Sequence, residues 1–178
     1  MVLAIMIFLL VVNLILLLVI FSAFLGFVMT RVPFVPTRAS DIEFFAKELG
    51  ISEKDTFFDL GSGDGKVCFL IEKQTGAKTL GFELTWWTHW LARIKRIFKG
   101  SKAKFVNQNF FKHPWSEATV VYGYLYPPLM KRVEKKFLAD CRPGSLAVIR
   151  DFPFPGIKPQ LVFRLPKNHE IYVYRKSG

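Results

Sequence analysis

The stretch at residues 56–65 reads TFFDLGSGDG. Its first half, Thr56–Leu60, has the aromatic and apolar residues typical of a buried strand, apart from Asp59. Its second half is a run of alternate glycines, and residues 66–74 then have the pattern of a helix. Doubly wound α/β folds bind their ligands at such a strand–loop–helix, outside the carboxyl end of the first strand. The spacing D-x-G-x-G-x-G is not the dinucleotide fingerprint G-x-G-x-x-G, because Lys66 stands where the third glycine would fall.

Strands and helices alternate along the chain on both sides of this unit, which predicts an α/β fold with a mainly parallel sheet. The last two strands are joined by a turn near Lys167 and Asn168 without a helix, so we expect antiparallel closing strands. The expected strands are Thr56–Leu60, Thr79–Glu83, Lys104–Asn107, Thr119–Tyr124, Ser145–Arg150, Leu161–Leu165 and Ile171–Tyr174.

The first thirty residues differ in composition from the rest. The chain has 178 residues and a net charge of +11, yet no Asp, Glu, Lys or Arg precedes Arg31. As a helix, residues 2–30 would be about 43 Å long, enough to cross a hydrocarbon core of about 30 Å. A cleaved signal peptide would have a basic start and a shorter apolar core. We therefore expect a transmembrane anchor over residues 1–30, a linker and pre-loop segment over 31–40, and the α/β domain over 41–178.

The charge distribution predicts the side of the membrane on which the domain lies and bears on which partners the protein needs. Basic residues begin directly after the apolar segment, which by the positive-inside rule places the domain on the cytoplasmic or mitochondrial matrix side of a membrane. A basic domain beside an anionic leaflet accounts for the net charge without nucleic acid. The high apolar content excludes a disordered chain. Two cysteines exclude a disulfide scaffold, and the His and Cys residues show no metal-ligand spacing. The bilayer, through residues 2–30, is an expected partner.

Short segments across the chain carry a resemblance to a known family. They are PFVPT at 33–37, DLGSGDG at 59–65, GFEL at 81–84, NFF at 109–111, SEATVV at 116–121, PPLM at 127–130 with EKK at 134–136, and IYVY at 171–174. The loop with its preceding acid resembles the S-adenosylmethionine loop of Rossmann-like methyltransferases. Taken together, the segments resemble the seven-strand lysine methyltransferases that act on the ATP synthase c-subunit or the adenine nucleotide translocase, and their archaeal relatives. PFVPT is the more specific of these segments.

The resemblance implies a Rossmann-like methyltransferase sheet, S-adenosylmethionine as cofactor, and a set of residues that hold it. These are Asp59, Gly61, Gly63, Gly65, Glu83 and Asn109, together with Ser62 in the loop, Phe110 over the adenine and Thr37 closing over the methionine end. Phe111 is expected in the core. The residue chemistry agrees, because a ligand with a sulfonium cation suits nearby carboxylates, and an acid that ends the second strand can accept ribose hydroxyls.

The acceptor that the resemblance implies is a protein lysine, and the anchor suggests that the substrate is a membrane protein. Tyr124 and Tyr126 end the fourth strand and could line an aromatic channel for the amine, or simply pack there. Nucleic-acid amino methylation is a rival, although YPPL at 126–129 matches the Asp/Asn-Pro-Pro-Tyr/Phe pattern only in its prolines. A small molecule or lipid acceptor and a non-catalytic adaptor also stay open.

Three tryptophans, Trp86, Trp87 and Trp90, cluster at the start of one expected helix. Core packing is the expected explanation, because large aromatic side chains at helical spacing usually face the interior. Contact with the bilayer interface is the alternative, because tryptophan is enriched at that depth.

Overall fold

A seven-stranded sheet with helices on both faces forms the domain. The structure, a computed structural model, describes residues 1–30 and 37–178, and in the first helix the side chains as far as Phe21. The strands are β1 (Thr56–Leu60), β2 (Lys78–Phe82), β3 (Lys104–Val106), β4 (Val120–Gly123), β5 (Leu146–Arg150), β6 (Leu161–Leu165) and β7 (His169–Arg175). The helices are α1 (Val2–Thr30), α2 (Ala39–Glu48), α3 (Lys66–Thr75), α4 (Trp86–Lys99) and α5 (Met130–Asp140).

The strand order is β3-β2-β1-β4-β5-β7-β6. Strands β1 to β5 are parallel, while β7 pairs antiparallel with both β5 and β6. This confirms the predicted Rossmann-like sheet with antiparallel closing strands. The carboxyl ends of β1 to β5 therefore share one edge, which we call the carboxyl edge. The chain reverses its winding between β1 and β4, and such a switch point is where open α/β sheets bind ligands.

The two residues in the middle of β1 show how the core is divided. Phe57 packs with Ile42 and Phe45 of α2 on one face of the sheet, whereas Phe58 packs with Phe137 of α5 on the other. Successive strand side chains point to opposite faces, so a strand covered on both sides must be apolar throughout. This explains why TFFDL reads as a continuous apolar run with one acid.

The start of α2 shows that a local capping signal was overridden by a long-range contact. Ser40 followed by Glu43 predicts a capping box, but the helix begins at Ala39 and its N-cap is Arg38, without a side-chain cap. Asp41 is buried, and one of its carboxylate oxygens accepts a hydrogen bond from Arg150 of β5 at 2.7 Å. The position of α2 is thus set by a buried ion pair with the sheet. Its start lies just before the predicted domain boundary at residue 41, and the division of the chain stays a prediction.

Helix α1 carries an exposed, apolar surface. Val2–Phe21 has a mean hydropathy of 3.3, and none of that segment is buried, so its length and composition suffice to cross a membrane. The amide of Asn13 donates to the carbonyl of Leu9 at 2.9 Å, which satisfies this polar group within its own helix. The basic flank at Arg31 and the PFVP part of the pre-loop segment lie outside the described residues.

The tryptophans of α4 do not all pack as expected. Trp87 is half-buried, but Trp86 and Trp90 are exposed, so the expectation of core packing is wrong for these two. The helix faces the domain with Thr88, His89 and Ala92 instead. The physical reason is that these three residues form the buried side of the helix, and the helical spacing then places Trp86 and Trp90 on the outer side.

Candidate cofactor and substrate site

The loop from Gly61 to Gly65 joins β1 to α3 in a tight turn at the carboxyl edge. The backbone N–H groups of Gly61 and Ser62 both donate to the carbonyl of Phe82, each at 2.9 Å, which ties the loop to the end of β2. Gly61, Gly63 and Gly65 have φ values of 82°, 54° and 82°. A side chain is strained in this left-handed region, so the turn requires glycine. The result is an open stretch of backbone at the switch point.

Two glycines at this site have a packing role. A Cβ on Gly65 would lie 2.6 Å from the ring of Phe105, and one on Gly81 would lie 2.6 Å from the Oγ of Ser62. A Cβ on Gly61 would meet only Leu125, at 3.4 Å. Gly65 therefore allows α3 to approach the sheet, whereas Gly61 faces more open space. A direct contact of Gly65 with the cofactor stays a prediction.

Glu83 lies beside the loop, just after the end of β2. One of its carboxylate oxygens accepts from the N–H of Gly63 at 2.9 Å, and the other accepts from the N–H of Thr85 at 2.7 Å. Each carboxylate oxygen has two lone pairs, so both still have room for a further donor such as a ribose hydroxyl. Asn107 donates to the carbonyls of Glu83 and Leu84 at 2.7 and 3.0 Å and so supports this turn from the end of β3.

Asp59 lies beneath the loop rather than open to solvent. Its carboxylate is only 2% exposed and accepts a hydrogen bond from the thiol of Cys68 at 3.7 Å. Burial, reinforced by the negative charges of Glu83 and Asp64 and opposed by the Cys68 hydrogen bond, raises the pKa of Asp59 to about 7. A cation held above the loop would favour the ionised carboxylate, so its electrostatic effect fits a sulfonium or ammonium group.

Thr37 ends the pre-loop segment and is buried against two elements of the site. Its hydroxyl is 2.9 Å from the hydroxyl of Tyr122 on β4, and its carbonyl accepts from the ammonium group of Lys66 at 2.7 Å. Sequence reasoning missed Tyr122 and Lys66. A tyrosine inside an otherwise aliphatic buried strand does carry a signal, because its hydroxyl needs a partner. The contacts hold Thr37 over the first turn of α3.

The residues after β3 are arranged differently from the expectation. Asn109 uses its side-chain oxygen to accept from the N–H of Phe111 at 2.9 Å and so caps a short 3-10 helix, Phe110–Lys112. Phe110 is the buried ring, in the core against Trp115, while Phe111 is half-buried beside the guanidinium of Arg132. Phe111 packs against the edge of the same core, in line with its expected packing role, and Phe110 is the more deeply buried of the two. Its contact with adenine stays a prediction.

An aromatic cluster lies where β4 and β5 end. Tyr124 is half-buried, its ring is nearly parallel to that of Phe152 at 6.4 Å, and the guanidinium of Arg150 lies 5.2 Å from it. Burial, together with the neighbouring Asp151, raises the pKa of Tyr124, so its hydroxyl stays protonated at neutral pH. Tyr126 is exposed at the start of the short helix Pro127–Leu129. The two tyrosines therefore lie at the carboxyl edge, with Tyr124 the more enclosed.

Asp151, which sequence reasoning also missed, directly follows β5. Its backbone is left-handed, with φ of 62°, an uncommon conformation for a residue other than glycine. Its carboxylate binds the ring of His169 at 2.8 Å and accepts from the N–H of Glu170 at 3.0 Å. These contacts with β7 hold the turn that presents Phe152 beside Tyr124.

Comparison with known proteins assigns this arrangement to a family. The pattern of the ANTKMT methyltransferase domain matches residues 59–161, more than half of the chain. The chain belongs to the ANTKMT methyltransferase family. This match confirms the family resemblance seen in the sequence. The matched residues include the glycine loop, Glu83 and the aromatic residues after β4.

Two curated proteins are similar to this chain in sequence. A protein-lysine N-methyltransferase from Saccharolobus islandicus is 30% identical over 81% of this chain and 93% of its own length. The human ATP synthase c-subunit lysine N-methyltransferase is 30% identical over 73% of this chain and 56% of its own length. The chain thus spans nearly all of the first relative and little more than half of the second.

A solved structure extends the comparison to the cofactor. An RNA methyltransferase from Salinibacter ruber, in complex with S-adenosyl-L-homocysteine, has a TM-score of 0.77 and 26% identity, over 80% of this chain and 94% of its own. The left-handed glycines and the remaining lone pairs of Glu83 fit such a ligand, which carries a ribose and no phosphate. The protein is an S-adenosylmethionine-dependent methyltransferase, as the sequence predicted.

Proposed function

We propose that this family member is a protein-lysine N-methyltransferase that is anchored in a membrane and modifies a membrane protein. The observation that carries the lysine assignment is the similarity to the Saccharolobus islandicus protein-lysine N-methyltransferase over 93% of that protein's length. The human relative, whose name gives the ATP synthase c-subunit as its target, supports a protein substrate.

The proposed cofactor residues are those that the family resemblance implies, and the geometry of the carboxyl edge supports several of them. Gly61 and Gly63 would present backbone, Glu83 would accept the ribose hydroxyls, and Asn109 with Phe110 would contact the adenine. Thr37 would cover the methionine end, and Ser62 would supply a hydroxyl that is buried without a partner among residues 1–30 and 37–178. When bound, S-adenosylmethionine supplies a methyl group on a positively charged sulfur. Asp59 would balance that positive charge from beneath the loop.

The acceptor amine must be unprotonated when it attacks. A lysine with pKa near 10.4 requires roughly 4 to 5 kcal/mol to lose its proton at pH 7. Tyr124 and Phe152 offer aromatic faces that would attract and position the cationic amine. Exclusion of water at these faces would favour the neutral amine, which forms when the ammonium group releases a proton to water before the attack. We assign Tyr124 and Tyr126 a positioning role for the amine, because holding the two reacting atoms in line is the main requirement of this transfer.

Helix α1 is the proposed anchor. Apart from Asn13 its described side chains are apolar, nearly all of them are exposed, and the chain becomes basic directly after it. This charge asymmetry favours a domain on the cytoplasmic or matrix side. An enzyme tethered in this way meets membrane-embedded substrates at a raised local concentration.

RNA is the second candidate acceptor, because the Salinibacter ruber enzyme is an RNA methyltransferase at 26% identity. Enzymes that methylate a flipped base require a polar residue to hold the base edge. In this chain the corresponding position is Tyr126, followed by two exposed prolines and Leu129. The chain therefore matches the pattern of the base-flipping enzymes only in its two prolines, which supports the lysine assignment over RNA.

The experiment that tests the proposal follows label from methyl-labelled S-adenosylmethionine into membranes incubated with the full-length protein. Samples are divided and treated with protease, treated with nuclease, or extracted for lipid. Wild type is compared with Glu83→Ala, which removes the proposed ribose ligand, and with Glu117→Ala, the same change at an exposed acid away from the site.

The proposal expects label in a protein band that is lost with Glu83→Ala and kept with Glu117→Ala, and methyl-lysine in that band by mass spectrometry. Label that nuclease removes would transfer the assignment to RNA. Label that partitions into the lipid extract would assign a lipid acceptor. Either result overturns the lysine proposal while leaving the methyltransferase assignment intact.

A further inference from the structure

An apolar stripe runs along the outer side of α4, and we call it the α4 stripe. Its members are Trp86, Trp90, Ile94, Ile97 and Phe98, which are between 41% and 86% exposed. Their spacing of three and four residues places them within about 120° of one helix face. Thr88 and Ala92, on the opposite face, are buried against the domain. Helix α4 therefore faces the domain with Thr88, His89 and Ala92 and presents these large apolar residues outward.

Basic side chains border the α4 stripe. The guanidinium of Arg93 lies 4.7 Å from the ring of Trp90, and Lys95 lies on the other flank, paired with Asp64. Between Glu83 and Glu117 the chain has seven Lys or Arg and no Asp or Glu. A helix that is apolar with tryptophan on one face and flanked by cations has the composition of a helix in the interface of an anionic bilayer.

The position of α4 agrees with this composition. Helix α4 contacts α1, the helix whose exposed surface suits a membrane. The α4 stripe keeps its exposure although α1 is adjacent, so α1 does not cover it. A bilayer crossed by α1 would therefore have its surface close to α4.

We propose that the α4 stripe lies in the headgroup region of a bilayer that contains anionic lipid. The position of that bilayer rests on the anchor proposed above, whereas the stripe and its charges are independent of it. Because Trp86 follows Glu83 by only three residues, this surface begins at the carboxyl edge. Contact with the membrane would hold the cofactor site beside the lysines that a membrane protein presents at the lipid surface.

Other occupants fit the surface less well. Nucleic acid would match the cations, but Ile94, Ile97 and Phe98 form a continuous apolar surface that phosphates cannot satisfy. A second copy would bring two clusters of cations together, which costs free energy by like-charge repulsion. A bilayer with anionic headgroups satisfies the apolar and the basic parts together.

The test uses the full-length protein reconstituted in vesicles of phosphatidylcholine and phosphatidylglycerol. Variants retain one tryptophan, at position 86, 90 or 115, with the others changed to phenylalanine. Phosphatidylcholine brominated near the top of its acyl chains quenches indoles at that depth. A helix buried about 5–10 Å into the headgroup boundary should lose roughly half of its Trp86 and Trp90 fluorescence. Trp115, which is fully buried in the core, should be unaffected.

Two matched pairs of substitutions identify the surface responsible. Ile97→Ser with Phe98→Ser should reduce the quenching of Trp90 by about half, because apolar contact drives interfacial binding. Leu161→Ser with Val162→Ser, an exposed apolar pair on β6 at the opposite end of the sheet, should leave it unchanged. Quenching should also weaken when phosphatidylglycerol is omitted.

Alkaline extraction of the same vesicles reports on the anchor separately. Protein that resists extraction while Trp86 and Trp90 stay unquenched would overturn the α4 inference and leave the anchor intact. Quenching of both residues in protein that is extracted would support the inference and overturn the anchor. A third outcome is that bromolipid does not quench Trp86 and Trp90, while a second copy or bound nucleic acid protects them from quenching by aqueous acrylamide. That outcome would overturn the inference and assign the α4 stripe to the protecting partner.

Discussion

At the scale of single residues, Asp59 links folding to proton binding. Its pKa is about 7 in the folded protein, against about 3.9 for an unperturbed aspartate. Between these values the folded state keeps a proton that the unfolded chain has released. Folding stability therefore falls as pH rises from about 4 to 7 and is level above that, a loss of about 4 kcal/mol for this carboxyl group. A bound cation would recover part of this loss by stabilising the ionised form.

This linkage predicts a pH-dependent cofactor affinity. Because the cation favours ionised Asp59, the Kd for S-adenosylmethionine should rise about tenfold between pH 8 and pH 6. Asp59→Asn should bind more weakly at pH 8 and lose this dependence, as measured by calorimetry. S-adenosylhomocysteine, which lacks the sulfonium charge, is the matched ligand and should show a smaller effect. If the Kd of Asp59→Asn still changes tenfold between pH 8 and pH 6, the group that titrates is not Asp59.

Gly65 and Gly100 allow backbone strain to be separated from packing. Both have positive φ, but a Cβ on Gly65 would overlap the ring of Phe105, whereas one on Gly100 would meet nothing within 4 Å. Gly100→Ala should cost about 1 kcal/mol, the strain of the left-handed backbone alone. Gly65→Ala should cost a further 1–3 kcal/mol or so by overpacking. Urea unfolding measures both, and equal losses would show that Phe105 moves aside.

At the scale of elements, the contact of Thr37 with Tyr122 joins the pre-loop segment to the sheet. Tyr122→Phe leaves the buried hydroxyl of Thr37 unpaired, which should cost about 1–3 kcal/mol of folding stability. If Thr37 covers the cofactor, the Kd for S-adenosylmethionine should also rise by about five- to tenfold, or about 1–1.4 kcal/mol.

Tyr174→Phe is the matched control for this prediction. The hydroxyl of Tyr174 is also buried and accepts from the N–H of Phe154 at 2.8 Å, but it lies away from the loop. Both variants should lower the unfolding midpoint, and only Tyr122→Phe should weaken cofactor binding. If Tyr122→Phe and Tyr174→Phe raise the Kd equally, the contact of Thr37 with Tyr122 supports the fold and has no specific role in cofactor binding.

The elements also show what the sequence could predict. The bounds of β1 were correct, and those of the other strands were correct to within two residues, because apolar runs and the glycines between them are local signals. Partners across the fold were not predictable. Arg150 with Asp41, and Tyr122 with Thr37, are separated by 109 and 85 residues. Periodicity gives the face on which a side chain lies but not its partner on another element. The exposure of Trp86 and Trp90 was missed for the same reason.

At the scale of the whole molecule, three features bear on how the enzyme would reach a membrane substrate. The carboxyl edge holds the glycine loop, Glu83 and the aromatic cluster after β4. The α4 stripe begins three residues beyond Glu83, and α1 lies against α4. If the bilayer contacts both helices, the transfer site lies beside the lipid surface, so the anchor would determine substrate choice as well as location.

The proposed anchor gives the last prediction. Leu10 and Leu17 are exposed and near the middle of the apolar segment, so neither side chain supports the domain. Lysine at such positions costs about 2.5–3.5 kcal/mol each in a spanning helix. Leu10→Lys with Leu17→Lys should release the full-length protein from membranes on alkaline extraction, without changing the unfolding midpoint of the domain or its affinity for S-adenosylmethionine. Val2→Lys, at the helix end, should remain membrane-bound because its ammonium group can reach the interface. Release of the wild type under the same conditions would show that α1 does not span the membrane, and retention of the double variant would show that another surface holds the protein there.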